Sequence, residues 1–245
     1  MSEEAIPAAT LVVMREVAAG PPLLLMVTRP AKMVFAGGAM VFPGGRVDPA
    51  DRAIAADDLG AARIAAIRET IEETGVSVGV AGIGSDADGH SLQEALHRGD
   101  GLAALVERHG LELQPETLVP FARWKPAFLQ PRRFDTLFFL ARAPEGEIML
   151  RPQPGECDSA EWLSAAEVLE RIANGTAAAI FPTVRNLERL ALYGSFDDAV
   201  ADARAHPVET ITPWIEDIDG ERWIKIPDHL GYPVTAERLD DAVRA

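Results

Sequence analysis

The chain has one cysteine, Cys157, in 245 residues, so no internal disulfide can form and a reducing compartment is expected. Positive charge is also scarce: 23 Lys and Arg stand against 38 Asp and Glu, a formal charge of −15. Nucleic acids and anionic membranes require a basic footprint, so neither is an expected partner. An anionic small molecule stays open, because a local arginine patch with a metal can reverse the sign inside a cleft. No apolar run reaches the length of a membrane span, and internal repeats and low-complexity linkers are missing. The five histidines show no H-x-x-x-H spacing, which disfavours zinc chemistry. Met1-Ser2-Glu3-Glu4 lacks the apolar stretch of a secretory signal, and Val243-Arg244-Ala245 lacks a peroxisomal one; a cytoplasmic location is the expectation.

What is present is an ordinary globular composition, 48% apolar and 25% charged. Strands are expected over residues 8–17, 23–28, 39–42, 77–83, 118–124 and 134–141, with a strand end at Trp162-Leu163-Ser164. Helices are expected over 61–74, 91–98, 101–109 and 165–174. A further helix is expected to be capped by Thr183, with Pro182 just before it, and to run to Tyr193. A hairpin is expected at 214–226 around Asp219-Gly220. Strands with interspersed helices imply an α/β or α+β sandwich. The whole of 1–245 reads as one domain, with a helical insertion at about 86–120 and a C-terminal extension from about 196 to 245. That extension would cover the core, build a dimer contact or border the cleft.

The densest chemistry lies in Arg68-Glu69-Thr70-Ile71-Glu72-Glu73-Thr74-Gly75-Val76. Helical spacing puts Glu69, Glu72 and Glu73 on one face, and Ile64, Ile67 and Ile71 on the opposite, core-facing side. Three acids in a last turn repel one another and oppose the negative end of the helix dipole. Hard divalent cations take such oxygen ligands. In so acidic a chain a triplet also falls on a solvated face by chance, so spacing alone leaves both readings open. Arg68 lies four residues before Glu72; it can hold a carboxylate or form a surface ion pair worth only ~0.5 kcal/mol.

Upstream stands Phe42-Pro43-Gly44-Gly45. The order glycine turn, helix, Arg-Glu, then Glu-Glu-x-Gly resembles the Nudix hydrolase signature, Gly-x5-Glu-x7-Arg-Glu-U-x-Glu-Glu-x-Gly-U with U bulky and aliphatic. Counting back from Arg68 puts Gly60 where the signature has its first glutamate, with Asp57 and Asp58 out of register, and Thr70 takes an aliphatic position. Residues 46–61 therefore read as an inserted loop. The resemblance implies the Nudix α/β/α sandwich with a mixed sheet. It also implies hydrolysis of a nucleoside diphosphate linked to another group, with Mg²⁺ (Mn²⁺ as substitute) held by Glu69, Glu72, Glu73 and the Gly44 carbonyl. An acid shortly before a late-strand Trp often joins the site in this family. Here Glu156 precedes Trp162 and is the expected extra ligand or base, with Asp158 and Glu161 as near alternatives. A homodimer is common in the family.

Residues 28–45, with Thr28-Arg29-Pro30 and the glycine turn, are similar to the box preceding the signature in coenzyme A diphosphatases, although Val34 replaces a second Arg and Lys32 is the nearest substitute. Ile64 to Thr70 and Pro131 to Thr136 also resemble that branch (the Nudix type 19-like group). Coenzyme A or an acyl derivative is the substrate this implies; ADP-ribose, dinucleotides and oxidised nucleotides are alternatives, as is a nucleotide-sensing domain without turnover. Arg29, Arg132 and Arg133 are the candidates for gripping phosphates. Trp124, Phe128 and Phe134 offer faces for a base, though strand aromatics serve a core as readily. Cys157, with no paired histidine motif, reads as structural.

Overall fold

The structure is a computed structural model and describes residues 5–32, 36–125 and 133–242. In chain order, β1 (Ile6–Arg15) and β2 (Leu23–Thr28) lead to the short β3 (Met40–Val41) and β4 (Gly44–Arg46), then helices α1 (Pro49–Ala53) and α2 (Asp58–Thr74). Strand β5 (Val80–Ala81), helices α3 (Asp86–His97) and α4 (Leu102–His109) and strand β6 (Glu112–Leu113) precede β7 (Val119–Trp124) and β8 (Phe134–Arg142). After β9 (Ser159–Ser164) come α5 (Ala165–Ala173), α6 (Phe181–Leu190) and α7 (Phe196–Ala205), then β10 (Thr210–Ile211), β11 (Trp214–Ile218), β12 (Glu221–Lys225), β13 (Ala236–Arg238) and α8 (Leu239–Ala242).

The main sheet is mixed, in the order β10-β7-β8-β1-β2-β3, with β4 also on β1 and β9 also on β2. Strand β1 runs parallel to β8 along its length. Its other edge is shared: β2 takes Met14 and Arg15, while β4 takes Ala8 to Thr10. Alternation along β1 sorts its side chains between two cores. Val12 and Met14 face α5, α6, α7 and the C-terminal segment; Ala9, Leu11 and Val13 face α2, α3 and α4. Helices on both faces of a mixed sheet give the expected α/β/α sandwich.

Helix α2 docks through Ile64, Ile67 and Ile71, all buried as expected; each contributes about 2 kcal/mol by leaving water. It begins earlier than expected, because Asp57 caps it by accepting from the Gly60 N–H at 2.7 Å. Residues 46–61 are thus not an open loop: β4, α1 and the first turn of α2 occupy most of them. Thr70 is accommodated at its aliphatic position because its hydroxyl donates to the Ala66 carbonyl at 2.7 Å. Gly75 ends the helix in the left-handed region at φ 75°.

Two further expectations are corrected. The strand at 77–83 shrinks to Val80–Ala81, since Gly79 and Gly82 adopt φ of 71° and 92° and interrupt extension. Helix α6 starts at Phe181, not after Thr183: a proline needs no N–H in the first turn, so Pro182 sits inside it and Ile180 is the N-cap. Of the roles expected for the C-terminal segment, covering the core is the one seen: Ile211, Ile224, Ile226, Leu230, Tyr232 and Leu239 are buried in it. Strand β10 extends the sheet beyond β7, and Tyr232 accepts the Trp124 indole N–H at 3.1 Å while donating to Asn186 Oδ1 at 2.8 Å. Buried Arg189 clamps the same region through Asp202 at 2.6 Å and over the Phe121 ring at 4.3 Å. The capping box of Ser164 with Glu167 and the hairpin at Asp219-Gly220 form as expected.

Candidate active site

A cleft of about 420 Å³ opens where β4 leaves β1. Its floor is two rungs of the sheet. Arg46 lies opposite Ala8, Ala8 opposite Thr136, and Thr136 opposite Trp124; in the next rung Gly44, Thr10 and Phe138 are aligned. Three strand spacings separate β4 from β7, about 14 Å at ordinary strand spacing.

The glutamates enter at the β4 end, past two glycines. The Gly44 N–H donates to Glu73 Oε2 at 3.0 Å. A β-carbon on Gly45 would stand 2.4 Å from the Glu69 carboxylate, so this carboxylate occupies space that any other residue would fill. Glu69, Glu73 and Glu156 line the cleft together with Arg29 and Arg46. Burial first, then neighbouring acids, push the Glu73 carboxyl up to about 8. Burial likewise pushes Glu69 up to about 7 against the opposing pull of Arg68. Glu72 is raised too, chiefly by burial, and Glu156 adds to the field on all three.

Arg68 is the hub. Nε and Nη2 take both oxygens of Asp51 at 3.0 Å each, Nη2 also donates to the Arg46 carbonyl at 3.0 Å, and Nη1 reaches Glu69 at 2.9 Å and Glu72 at 3.0 Å. All five guanidinium donors are used. Burial works against this charge, but the Asp51 bonds and the surrounding acids hold it well above the ordinary arginine range. Asp51 is only 2% exposed, and it corrects the expectation of a missing acid. Counted forward from Gly45, Asp51 stands six residues on, where the signature has its first glutamate. The extra residues lie between this acid and Arg68.

The acid segment after β8 is fixed to the end of α2. Gln153 N–H donates to the Glu73 carbonyl at 3.1 Å and Arg151 N–H to the Thr74 carbonyl at 2.9 Å. Gln93 of α3, 3% exposed, donates from one amide nitrogen to the carbonyls of Glu72 at 3.0 Å and Arg151 at 2.8 Å. The helical insertion therefore braces the site. Buried Cys157 follows Glu156, its thiol raised by burial and so chemically quiet.

Of the expected residues, Arg68, Glu69, Glu72, Glu73, Gly44, Glu156 and Arg29 come together. Arg133 is exposed and does not line the cleft, and Glu161 turns to Arg171 at 3.0 Å. Arg132, Phe128 and Val34 lie outside the described residues. Arg46 was missed, although its place two residues beyond Gly44 on a strand puts it on the same face. Among the described residues no three His, Cys, Asp or Glu side chains already surround one point. The donor set nevertheless suits a hard cation: oxygen ligands only, buried, with more negative charge than Arg68 offsets.

Among solved structures, a NUDIX hydrolase from Alicyclobacillus acidocaldarius is 32% identical, with a TM-score of 0.70, covering 82% of this chain and 97% of that one. The chain belongs to the Nudix hydrolases. It is thus an enzyme of the class that hydrolyses pyrophosphate bonds, and Nudix hydrolases generally use divalent metal ions such as Mg²⁺. More distant Nudix likenesses include the NUDIX domain of Shewanella oneidensis NrtR complexed with ADP ribose, at 12% identity and TM-score 0.47 over 76% of this chain and 86% of that one. A C. elegans Ap4A hydrolase aligns at 15% identity and TM-score 0.40 over 82% and 96% of the two chains. No protein-family model and no curated protein matches the chain. Among the described residues no helix is long and apolar enough to cross a membrane.

Proposed function

We propose that this Nudix hydrolase cleaves the diphosphate of coenzyme A or an acyl-coenzyme A with Mg²⁺, giving 3′,5′-ADP and a phosphopantetheine. The observation that carries the reading is the meeting of Glu69, Glu73 and Glu156 with Arg29 and Arg46 at one end of the cleft. Arg29 is the arginine of the segment resembling the coenzyme A box, and its placement beside the glutamates is what that role requires.

Glu69, Glu72, Glu73, Glu156 and the Gly44 carbonyl would hold the cation, with Mn²⁺ as a substitute. When bound, it neutralises charge on the phosphoryl oxygens and lowers the pKa of water. The chain's own residues do the rest. Arg68, fixed by Asp51, keeps Glu69 and Glu72 in place. Arg29 and Arg46 take non-bridging phosphate oxygens with their planar forks. Glu156, more exposed than the other acids, is positioned to accept a proton from the attacking water. Water oxygen bonds to one phosphorus as the bridging P–O bond breaks, and the departing phosphate keeps the bond's electron pair.

The test is product analysis with Mg²⁺ over coenzyme A, acyl-coenzyme A, ADP-ribose and NADH. Coenzyme A and its acyl forms should show the highest kcat/KM, and Glu72→Gln and Glu73→Gln should each lower kcat by about 10²-fold or more. Preferred turnover of ADP-ribose or NADH would reject the substrate, and unchanged rates in both variants would reject the metal placement.

A further inference from the structure

Behind one wall of the cleft lies a buried network that the reaction chemistry leaves unused. Trp124 lines the cleft from β7, and Ile180, Pro182 and Thr183 line it from the start of α6. Phe181 does not line the cleft and packs into the core instead. Its ring meets the Trp124 ring edge-on, with 6.0 Å between centroids and 83° between planes. One turn further along α6, Arg185 is 1% exposed, and its guanidinium stands 5.1 Å from the centre of the Phe181 ring.

Two acids meet that guanidinium at one nitrogen: Nη2 donates to Glu188 at 2.8 Å and to Glu237 at 3.0 Å. Glu188 stands on α6 itself, so its bond moves with the helix. Glu237 comes from β13, 52 positions along the chain, and ties α6 to the C-terminal segment. Its direction follows from the sheet: Glu237 lies opposite the fully buried Ile224 of β12, and cross-strand partners share a face. The same stretch of chain supplies Tyr232, whose ring centre is 5.7 Å from that of Trp124 and whose hydroxyl joins Trp124 to Asn186 of α6. Residues 232–237 thus hold Trp124 and α6 from behind, although neither Tyr232 nor Glu237 lines the cleft.

We propose that Glu237 is a positioning residue: through Arg185 and Phe181 it sets where Trp124 and the first turn of α6 stand, and so how closely the cleft wall fits its substrate. Protein interiors are packed as densely as organic crystals, so a guanidinium that shifts carries the ring against it. Removing one partner of a buried ion pair also leaves a charge to be met in another way, which drives such a shift. The Glu188 bond does not resist it, because that acid rides on the moving helix. The glutamates and Arg68 stand at the β4 end, beyond the reach of this network, so binding should change and chemistry should not. The inference rests on this cleft being the substrate site and takes nothing from which diphosphate is cleaved.

The test uses the full chain labelled with fluorotryptophan, its Trp124 resonance assigned by Trp124→Phe and read by fluorine NMR. Glu237→Ala should shift that resonance, and Glu237→Gln, whose amide oxygen still accepts from Arg185, should shift it less. With the diphosphate the unaltered chain turns over best, Glu237→Ala should raise KM about two- to tenfold, the usual size of coupling through packed side chains, and leave kcat within about twofold. Glu237→Gln should again fall between the two. Phe181→Leu removes the relay ring, so adding Glu237→Ala to it should raise KM little further. Should Glu237→Ala fail to fold, Glu237→Gln carries both readouts in the same direction. A lower Tm with the Trp124 resonance and KM unmoved at a temperature where the variant is folded would show a role in stability alone and overturn the proposal. Full additivity with Phe181→Leu, or a fall in kcat as large as the rise in KM, overturns it too. A shifted Trp124 resonance in a chain that turns over no diphosphate sinks the proposed function and leaves the positioning of Trp124 standing. Normal turnover with an unshifted resonance does the opposite.

Discussion

Asp51 makes the sharpest claim about how the site is held, and replacing it tests that claim. Asp51→Ala leaves Arg68 buried with two of its five donors unmet. Hydrogen bonds to charged groups are worth roughly 1.5–3 kcal/mol each, and breaking a buried pair by removing one partner costs about 3–5 kcal/mol. For a chain of this size 1 kcal/mol moves Tm by roughly 2–4 °C, so a fall of about 6–20 °C is expected in scanning calorimetry. Activity should drop at least tenfold at a temperature where the variant is still folded, because Glu69 and Glu72 share the same guanidinium. Asp51→Glu should recover part of both losses. The control is Gly60→Glu, which restores the acid at the position found by counting back from Arg68. Gly60 lies in the first turn of α2, remote from Arg68's five bonds, so the change should leave kcat unaltered and stabilise by a few tenths to about 1 kcal/mol through helix propensity. Wild-type Tm and kcat in Asp51→Ala, together with a rate increase in Gly60→Glu, would refute the assignment.

Gly45→Ala should reduce kcat at least tenfold with little loss of Tm, since the new methyl displaces the Glu69 carboxylate rather than backbone; steady-state kinetics beside calorimetry decides it. Gln93→Leu should lower kcat several-fold and raise amide exchange at Arg151 and Gln153, because the tie between the ends of α2 and the Glu156 segment is cut; unchanged exchange would show that the tie is idle. Asp135 is held below the ordinary carboxylate range of 3.8, first by its hydrogen bond from Arg123. Its folded value is depressed, so the stability it lends is present above about pH 4 and lost as pH falls through the folded value. Arg123→Gln should therefore flatten the acid limb of the stability curve below pH 4, as read by urea unfolding at several pH values.

Much of this was legible in the sequence, for reasons particular residues make plain. The isoleucine spacing on α2 and the exact span of β2 follow from periodicity, and Ser164 with Glu167 announces its own cap. The glutamate face was legible because helical spacing is rigid. The partner of Arg68 was harder to read. Two anchors, Gly45 and Arg68, give different answers when the chain between them is longer than usual, and only the fold shows that the acid keeps its distance from the glycine. Arg46 and Thr183 were missed because the cleft gathers them across four strands and from the start of a distant helix. Strand alternation gives the face of Arg46 but not the partner it meets there. Pro182 misled by standing inside a helix rather than before it.

The pairing of β1 with β8 joins residues more than a hundred positions apart, as in Ala8 with Thr136. Contacts of such long sequence separation form late and slowly, because a large loop must close before they are rewarded. The signature segment, from Gly45 to Val76, therefore leaves the ribosome long before its cleft can exist. Until β8 seats against β1 and residues 151–157 close on the end of α2, the acidic helix has no floor beneath it and no Glu156 beside it. Catalytic competence is thus a property acquired near the end of folding. An amino-terminal fragment stopping before Phe134 should bind neither cation nor nucleotide, even though it carries every residue of the signature itself.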